Sequence, residues 1–164
     1  MQSVVSGVTM IGFPTDITSM GHHGFLSPDG RCFSFDHRAN GYGRGEGVGT
    51  VIVKRLSDAL KDGDTIRAVI RGTGVNQDGR TAGISLPSSQ AQESLMRSVY
   101  AEAGLDFGET HMVEAHGTGT AAGDPLEASA IARTFSSRSK EIPLYVGAIK
   151  SCIGHLEGGA GIAG

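Results

Sequence analysis

Two histidines, a lysine and a thiol stand out as chemically able groups in the second half of this 164-residue sequence. His116 lies in "VEAHGTGT" and His155 in "AIKSCIGHLEGG", where Lys150 and Cys152 precede it. An imidazole holds or releases a proton near neutrality. A lysine supplies a compact positive charge. A thiol attacks carbonyls or binds metal once ionised. These types allow three chemistries: a Cys–His nucleophile pair, a Cys-x-x-His metal half-site, or a nucleotide site built on the glycines beside His116. Taken singly, each residue is more often structural. Their joint placement raises the odds, because each imidazole sits in a glycine-rich loop after a strand pattern, where backbone and ligand can approach closely.

The elements that must position these residues alternate along the chain. "GTVIVKRL" alternates with β-branched residues and reads as a strand, and "SDALKDGD" after it reads as a helical turn or loop. "IRAVIRGTGV" (66–75) reads as a second strand, ended by Gly72 and Gly74. "SSQAQESLMRSVYAEAG" (88–104) predicts a helix with a Ser89–Gln92 capping box, one face of Ala91, Leu95, Val99 and Ala103, and a stop at Gly104. "HMVEAHGTGT" (111–120) is a strand running into a loop. "DPLEASAIARTF" (124–135) is a helix with Asp124 at the N-cap and Pro125 at the first position. "LYVGAIKS" (144–151) is the last strand, and a helix of small residues starts near Gly158. Upstream, residues 21–47 form a long loop dense in turn signals. This order gives an α/β fold with a mixed sheet covered by helices. Both histidines then fall at the carboxyl ends of neighbouring strands, where α/β proteins place their chemistry.

Composition narrows the function. Net charge is −3, with 14 basic and 17 acidic residues well mixed, so there is no electrostatic footprint for nucleic acid or anionic membrane. With no Trp and 5% aromatics, a base-stacking platform is not expected either. Apolar residues make up 38%, and the 26 glycines stand singly between apolar runs rather than in a repeat. No apolar run approaches the roughly 18 residues of a membrane span. The chain reads as soluble and cytoplasmic. Its two cysteines, Cys32 and Cys152, then stay free thiols.

Each of these chemistries weakens on inspection. Gly117-x-Gly119-x-x-Ala122 has dinucleotide-fingerprint spacing, but Asp124 stands where a pyrophosphate would meet the helix start, and the next strand ends at Lys150 instead of an acid for the ribose. Cys152-x-x-His155 supplies only half of the ligands of a structural zinc. Cys152 with His155 fits a nucleophile pair on paper; by itself Cys152 reads as a small buried residue.

The residues also carry a resemblance. "VEAHGTGTAAGDPLEASAIA" and "VGAIKSCIGHLEGGAGIAG" resemble the two histidine motifs of β-ketoacyl synthases, and of the ketosynthase domains of iterative, multidomain polyketide synthases in particular. "LSPDGRCFSFDHRANGYGRGEGVGTVIVKRLSDALKDGDTIRAVIRGTGVNQDGRT" and "GISLPSSQAQESLMRSVYAEAGLD" are similar to the same domains, with wording nearest to fungal reducing polyketide synthases. The resemblance covers residue 24 to the end, and 1–23 more loosely.

It implies a thiolase-like fold of two similar α/β halves, with about residues 1–60 closing the first half and about 61–164 opening the second. It implies decarboxylative Claisen condensation of acyl and malonyl thioesters in polyketide, fatty-acid-like chain elongation. It implies that no cofactor is bound directly, because the substrates ride on the phosphopantetheine of an acyl carrier protein, and that the complete enzyme is a homodimer. It gives His116 and His155 the malonyl thioester carbonyl to bind, and gives Lys150 the electrostatic ordering of His155. The family's nucleophile, in a D-T-A-C-S-type elbow, is not among these residues, and Cys152 stands where the family usually has asparagine. The resemblance therefore implies a segment of a larger enzyme, inactive by itself. A non-catalytic remnant or interaction module derived from such a domain stays open as the alternative.

Overall fold

In a computed structural model the described residues are 1–81, 83, 86–139 and 141–164. The chain opens with β1 (Gln2–Thr9), followed by α1 (Pro14–His22), an irregular stretch, β2 (Gly47–Lys54) and α2 (Leu56–Asp62). Then come α3 (Ser89–Ala103), β3 (Met112–Glu114), α4 (Gly123–Thr134), β4 (Tyr145–Gly147), α5 (Lys150–Ile153) and α6 (Ala160–Ala163), with short 3-10 turns at Phe107–Glu109 and Glu157–Gly159.

The expected mix of strands and helices is present, but among the described residues the strands form two separate ladders instead of one sheet. β1 and β2 pair antiparallel in full register, from Gln2 opposite Lys54 to Thr9 opposite Gly47. β3 and β4 pair in parallel, Met112 beside Tyr145 and Glu114 beside Gly147. Residues 66–75, expected as a strand, form no ladder. Their alternation encodes an extended chain but not a hydrogen-bonding neighbour. The segment lies along α3, where a Cβ at Gly72 or Gly74 would run into Val99 at 3.1 and 2.5 Å. The polar stretch after β1, not expected as helix, forms α1 with Pro14 in its first turn.

α3 starts one residue earlier than its sequence signal: Ser88, not Ser89, is the N-cap, and its side chain accepts from the Ala91 N–H. It ends as expected at Gly104 in the left-handed conformation. α3 packs on α4 around a small core of Ala115, Ile131 and Phe135, joined by Met96, Tyr100, Phe107, Val113 and Leu144. Phe107 stacks on Tyr100 at 4.5 Å, and both meet Phe135 edge-on. Glu93 on α3 clamps the pair from outside through Arg97 and through Arg133 of α4.

The terminal glycines have a packing reason. Gly7 of β1 and Gly49 of β2 are register partners. A Cβ on Gly7 would stand 2.8 Å from the Gly158 carbonyl oxygen and 2.9 Å from the Gly159 Cα. A Cβ on Gly49 would press into Ile162 at 2.4 Å. The run after His155 thus lies directly on the β1–β2 backbone, which only glycines allow. Elsewhere this antiparallel pair is bare: Val4, Val8, Val48 and Ile52 are each more than 60% exposed.

Candidate active site

Parallel pairing of β3 with β4 brings their carboxyl ends together, and the His116 and His155 loops leave from that end. The two rings meet edge to face, centroids 5.6 Å apart and planes at 88°. Lys150 begins α5 between them in sequence and is buried. All three expected site residues therefore converge, although Lys150 starts a helical turn where the sequence pattern had extended the strand to Ser151.

The His116 loop is fixed by two carboxylates of α4. Glu127 accepts the N–H groups of His116 and Gly117, at 2.6 and 2.8 Å. Asp124 is buried and accepts from Phe35 N–H at 2.7 Å and from the N–H groups of Gly119 and Thr120. Asp124 is thus not the simple N-cap that the sequence pattern gave; α4 begins at Gly123, and this carboxylate instead ties the preceding loop to residues 32–35. It also occupies the N–H groups that a dinucleotide phosphate would need, so the G-x-G-x-x-A spacing serves the loop itself. Gly117 and Gly119 both have positive φ, and a Cβ on Gly119 would lie 2.6 Å from the Phe33 nitrogen.

The His155 loop is fixed from the far side of the sequence. His155 donates its backbone N–H to the Gly43 carbonyl at 2.7 Å, and Gly45 N–H returns to the His155 carbonyl at 2.9 Å. The Tyr42 ring lies 5.0 Å from the His155 ring. Nδ1 of His155 accepts the Glu157 N–H at 2.8 Å, so the neutral ring carries its proton on Nε2.

Both imidazoles are biased to the neutral form. Burial lowers the His116 pKa from its ordinary 6.5, and the Lys150 charge lowers it further. His116 is nonetheless open to solvent on the side facing a cleft of about 590 Å³, which Thr118, Thr120, Phe25 and Gln92 also line. His155 is half-buried, and the same two causes act in the same order on it, with His116 adding to them. Neutral rings with an N–H on offer suffice to donate to a developing oxyanion.

The cysteines differ from the sequence expectation. Cys152 is exposed, not buried, its Sγ 3.8 Å from the Ser151 hydroxyl. Cys32 is the buried one; it points at the Gly43 carbonyl at 3.5 Å, and burial pushes its pKa up. A protonated, enclosed thiol is a poor nucleophile.

Family models corroborate the architecture. The model for the β-ketoacyl synthase C-terminal domain matches residues 67–164, and the one for the N-terminal domain matches 2–59. The chain belongs to the β-ketoacyl synthase family. It is 59% identical over 162 residues to the highly reducing polyketide synthase otaA of Aspergillus carbonarius, and 56% identical over 162 residues to the 6-hydroxymellein synthase cdmE of Talaromyces verruculosus. Each alignment covers 99% of this chain and 6% of the relative. Its fold matches the ketosynthase from module 6 of the bacillaene synthase of Bacillus subtilis 168, with a TM-score of 0.94 and 42% identity over 99% of this chain and 29% of that one. The oxazolomycin ketosynthase domain OzmH KS7 of Streptomyces albus JA3453 matches with the same TM-score at 40% identity. The α/β, thiolase-like expectation holds. The chain spans under a tenth of its curated relatives and under a third of a solved ketosynthase chain.

Sequence reasoning missed Glu127, Tyr42, Arg44 and Glu157 as builders of this site. The signal for Glu127 was its place one turn into a helix that follows a histidine loop. For Tyr42 and Arg44 the only signal was the dense glycine spacing of "NGYGRGEGVG".

Proposed function

We propose that this chain forms the decarboxylating side of a ketosynthase that elongates polyketide chains by Claisen condensation. The observation that carries it is the edge-to-face pair of His116 and His155, with Nδ1 of His155 already engaged by the Glu157 N–H. A malonyl thioester carbonyl lying between the rings receives N–H donors. As the bond to the carboxylate breaks, carbon dioxide leaves and the electron pair moves onto the thioester, whose oxygen becomes an enolate. The donors stabilise that charge. The enolate carbon then attacks an acyl thioester on a cysteine outside these 164 residues, forming the new carbon–carbon bond and releasing the thiolate. Lys150 sets the positive field in which this happens and keeps both rings from taking up a second proton.

The partner in this reading is an acyl carrier protein whose phosphopantetheine presents acyl and malonyl thioesters, and the complete enzyme works as a homodimer in the cytoplasm. None of the described helices is long and apolar enough to cross a membrane. Residues up to about 60 belong to the first half of the two-half fold, and the rest to the second. The rival, a non-catalytic module, is disfavoured by the converged site: a binding remnant has no need of two neutral imidazoles beside a buried lysine.

The test uses the Aspergillus carbonarius synthase with its matching segment replaced by this chain. His116→Ala or His155→Ala should each cut malonyl decarboxylation by roughly 100-fold or more, the usual cost of one oxyanion donor. Acyl loading of the cysteine should persist. Decarboxylation at the parent rate in either variant would overturn the assignment.

A further inference from the structure

The turn after His155 holds charged groups that the reaction above does not use. Arg44 Nη2 donates to Glu157 Oε2 at 2.8 Å, between side chains 10% and 25% exposed. Arg44 Nε and Nη1 and Glu157 Oε1 are buried with no hydrogen-bond partner among the described residues. A half-satisfied buried pair is a weak source of stability, because desolvation offsets the attraction. What it offers here is geometry. Glu157 has φ of 39°, a left-handed conformation that a non-glycine residue leaves unless held. In that conformation its N–H reaches Nδ1 of His155. Arg44 is itself fixed to the histidine backbone, since the neighbouring Gly43 carbonyl and Gly45 N–H bond His155 on both sides. Backbone, ion pair and imidazole thus close a ring.

We propose that Arg44 is a positioning residue: its ion pair holds the Glu157 backbone in the positive-φ conformation that keeps the His155 proton on Nε2. This rests on the reading of His155 as a donor. Without the anchor, the Glu157 peptide relaxes, Nδ1 loses its donor, and the ring samples the tautomer with a bare Nε2 lone pair. That tautomer cannot donate to an enolate.

Two double variants in the same grafted synthase separate anchoring from loosening. Arg44→Ala with Glu157→Ala, and Arg44→Ala with Glu157→Gly, both remove the whole pair and leave no uncompensated charge. Only glycine then adopts positive φ freely. The first readout is the rate at which diethyl pyrocarbonate labels His155, located by peptide mass spectrometry, since this reagent acylates an unprotonated ring nitrogen. The second is malonyl decarboxylation. The alanine double should label His155 severalfold faster, leave His116 labelling unchanged, and decarboxylate roughly tenfold slower or worse. The glycine double should recover most of both. Parent-like labelling in the alanine double, or equal labelling in the two doubles, overturns the proposal. Faster labelling with undiminished decarboxylation supports the anchor and sinks the donor role of His155 instead. If the alanine double does not accumulate, Arg44→Gln serves in its place: it deletes the ion pair while leaving Glu157 partly solvated, and labelling at the parent rate would again overturn the proposal.

Discussion

The two histidine loops end at the same place by different means. The His116 loop is tied by carboxylates close in sequence, Asp124 five residues from Gly119 and Glu127 eleven from His116. The His155 loop is tied across the fold, its ion pair joining residues 113 apart in sequence. A cradle of the first kind holds the His116 N–H once α4 forms, because Glu127 lies near its start; the loop beyond it still needs Ser34, Phe35 and Gly41, which bond Gly117, Asp124 and Gly119 from far away in sequence. A cradle of the second kind exists only after the irregular stretch before β2 has packed against the turn after β4. The hold on the His116 N–H is therefore local, whereas the hold on the His155 backbone depends on tertiary assembly.

Asp124→Ala should break the local side hardest. The change strips acceptors from three backbone N–H groups, of which Gly119 is fully enclosed. Hydrogen bonds to a charged group are each worth about 1.5–3 kcal/mol, so a loss of about 3 kcal/mol or more is expected. A fall in melting temperature of the grafted synthase's ketosynthase domain, with decarboxylation and acyl loading lost together, is the expected result. A melt within a degree of the parent would show that the loop does not lean on this carboxylate.

Glu127→Ala should be gentler and more selective. It frees only two N–H groups, that of the exposed His116 and that of the more enclosed Gly117. The expected outcome is a drop of about tenfold in kcat for decarboxylation, the equivalent of about 1.4 kcal/mol, with KM and acyl loading little changed. An equal loss in both steps would mean that Glu127 supports the whole cavity and not the His116 register.

This local-against-distant contrast also explains what was legible in the sequence. The nearness of His116 and His155 was readable because strand patterns ending in glycine loops place both at one sheet end, whereas the part given to Lys150 came from the family resemblance. The helix over residues 89–103 was readable from period and from Gly104. The strand expected at 66–75 was not there, since alternation does not say what the backbone pairs with. Arg44 and Glu157 were invisible as partners for the same reason. Asp124 was seen but given the wrong duty, because an N-cap and a loop anchor share one sequence signature.

The Lys150 charge acts on both loops, and pH exposes it. Both histidines have folded pKa values below the ordinary 6.5, first by burial and then by Lys150. Each ring thus contributes stability that is present above the unfolded value of about 6.5 and is lost as pH falls through the folded one. Decarboxylation should follow the same limb, since a proton on Nδ1 of His155 displaces the Glu157 N–H that fixes that ring. Lys150→Met removes the second cause and leaves burial, so the acid limb should move up toward 6.5 while the plateau rate drops. A limb that stays in place would show that burial alone sets both values.

Cys152→Asn should have the smallest effect, and its size sharpens the contrast between loops. The thiol is exposed on α5, and among the described residues its hydrogen-bonding neighbour is the Ser151 hydroxyl, at 3.8 Å. Neither imidazole is tied to it: Nδ1 of His155 is taken by Glu157, and the His155 backbone by Gly43 and Gly45. An exposed substitution away from caps and ion pairs usually shifts stability by about 0.5 kcal/mol or less. An amide donates and accepts more strongly than a thiol. If it finds a partner in the assembled domain, decarboxylation rises slightly; if it does not, the rate stays within about twofold of the parent, a barrier change of under about 0.5 kcal/mol. A collapse of decarboxylation with acyl loading intact would show that the thiol itself steadies the His155 loop. The ties to Gly43, Gly45 and Glu157 would then not be sufficient, and the distant cradle would include a local member on α5 after all.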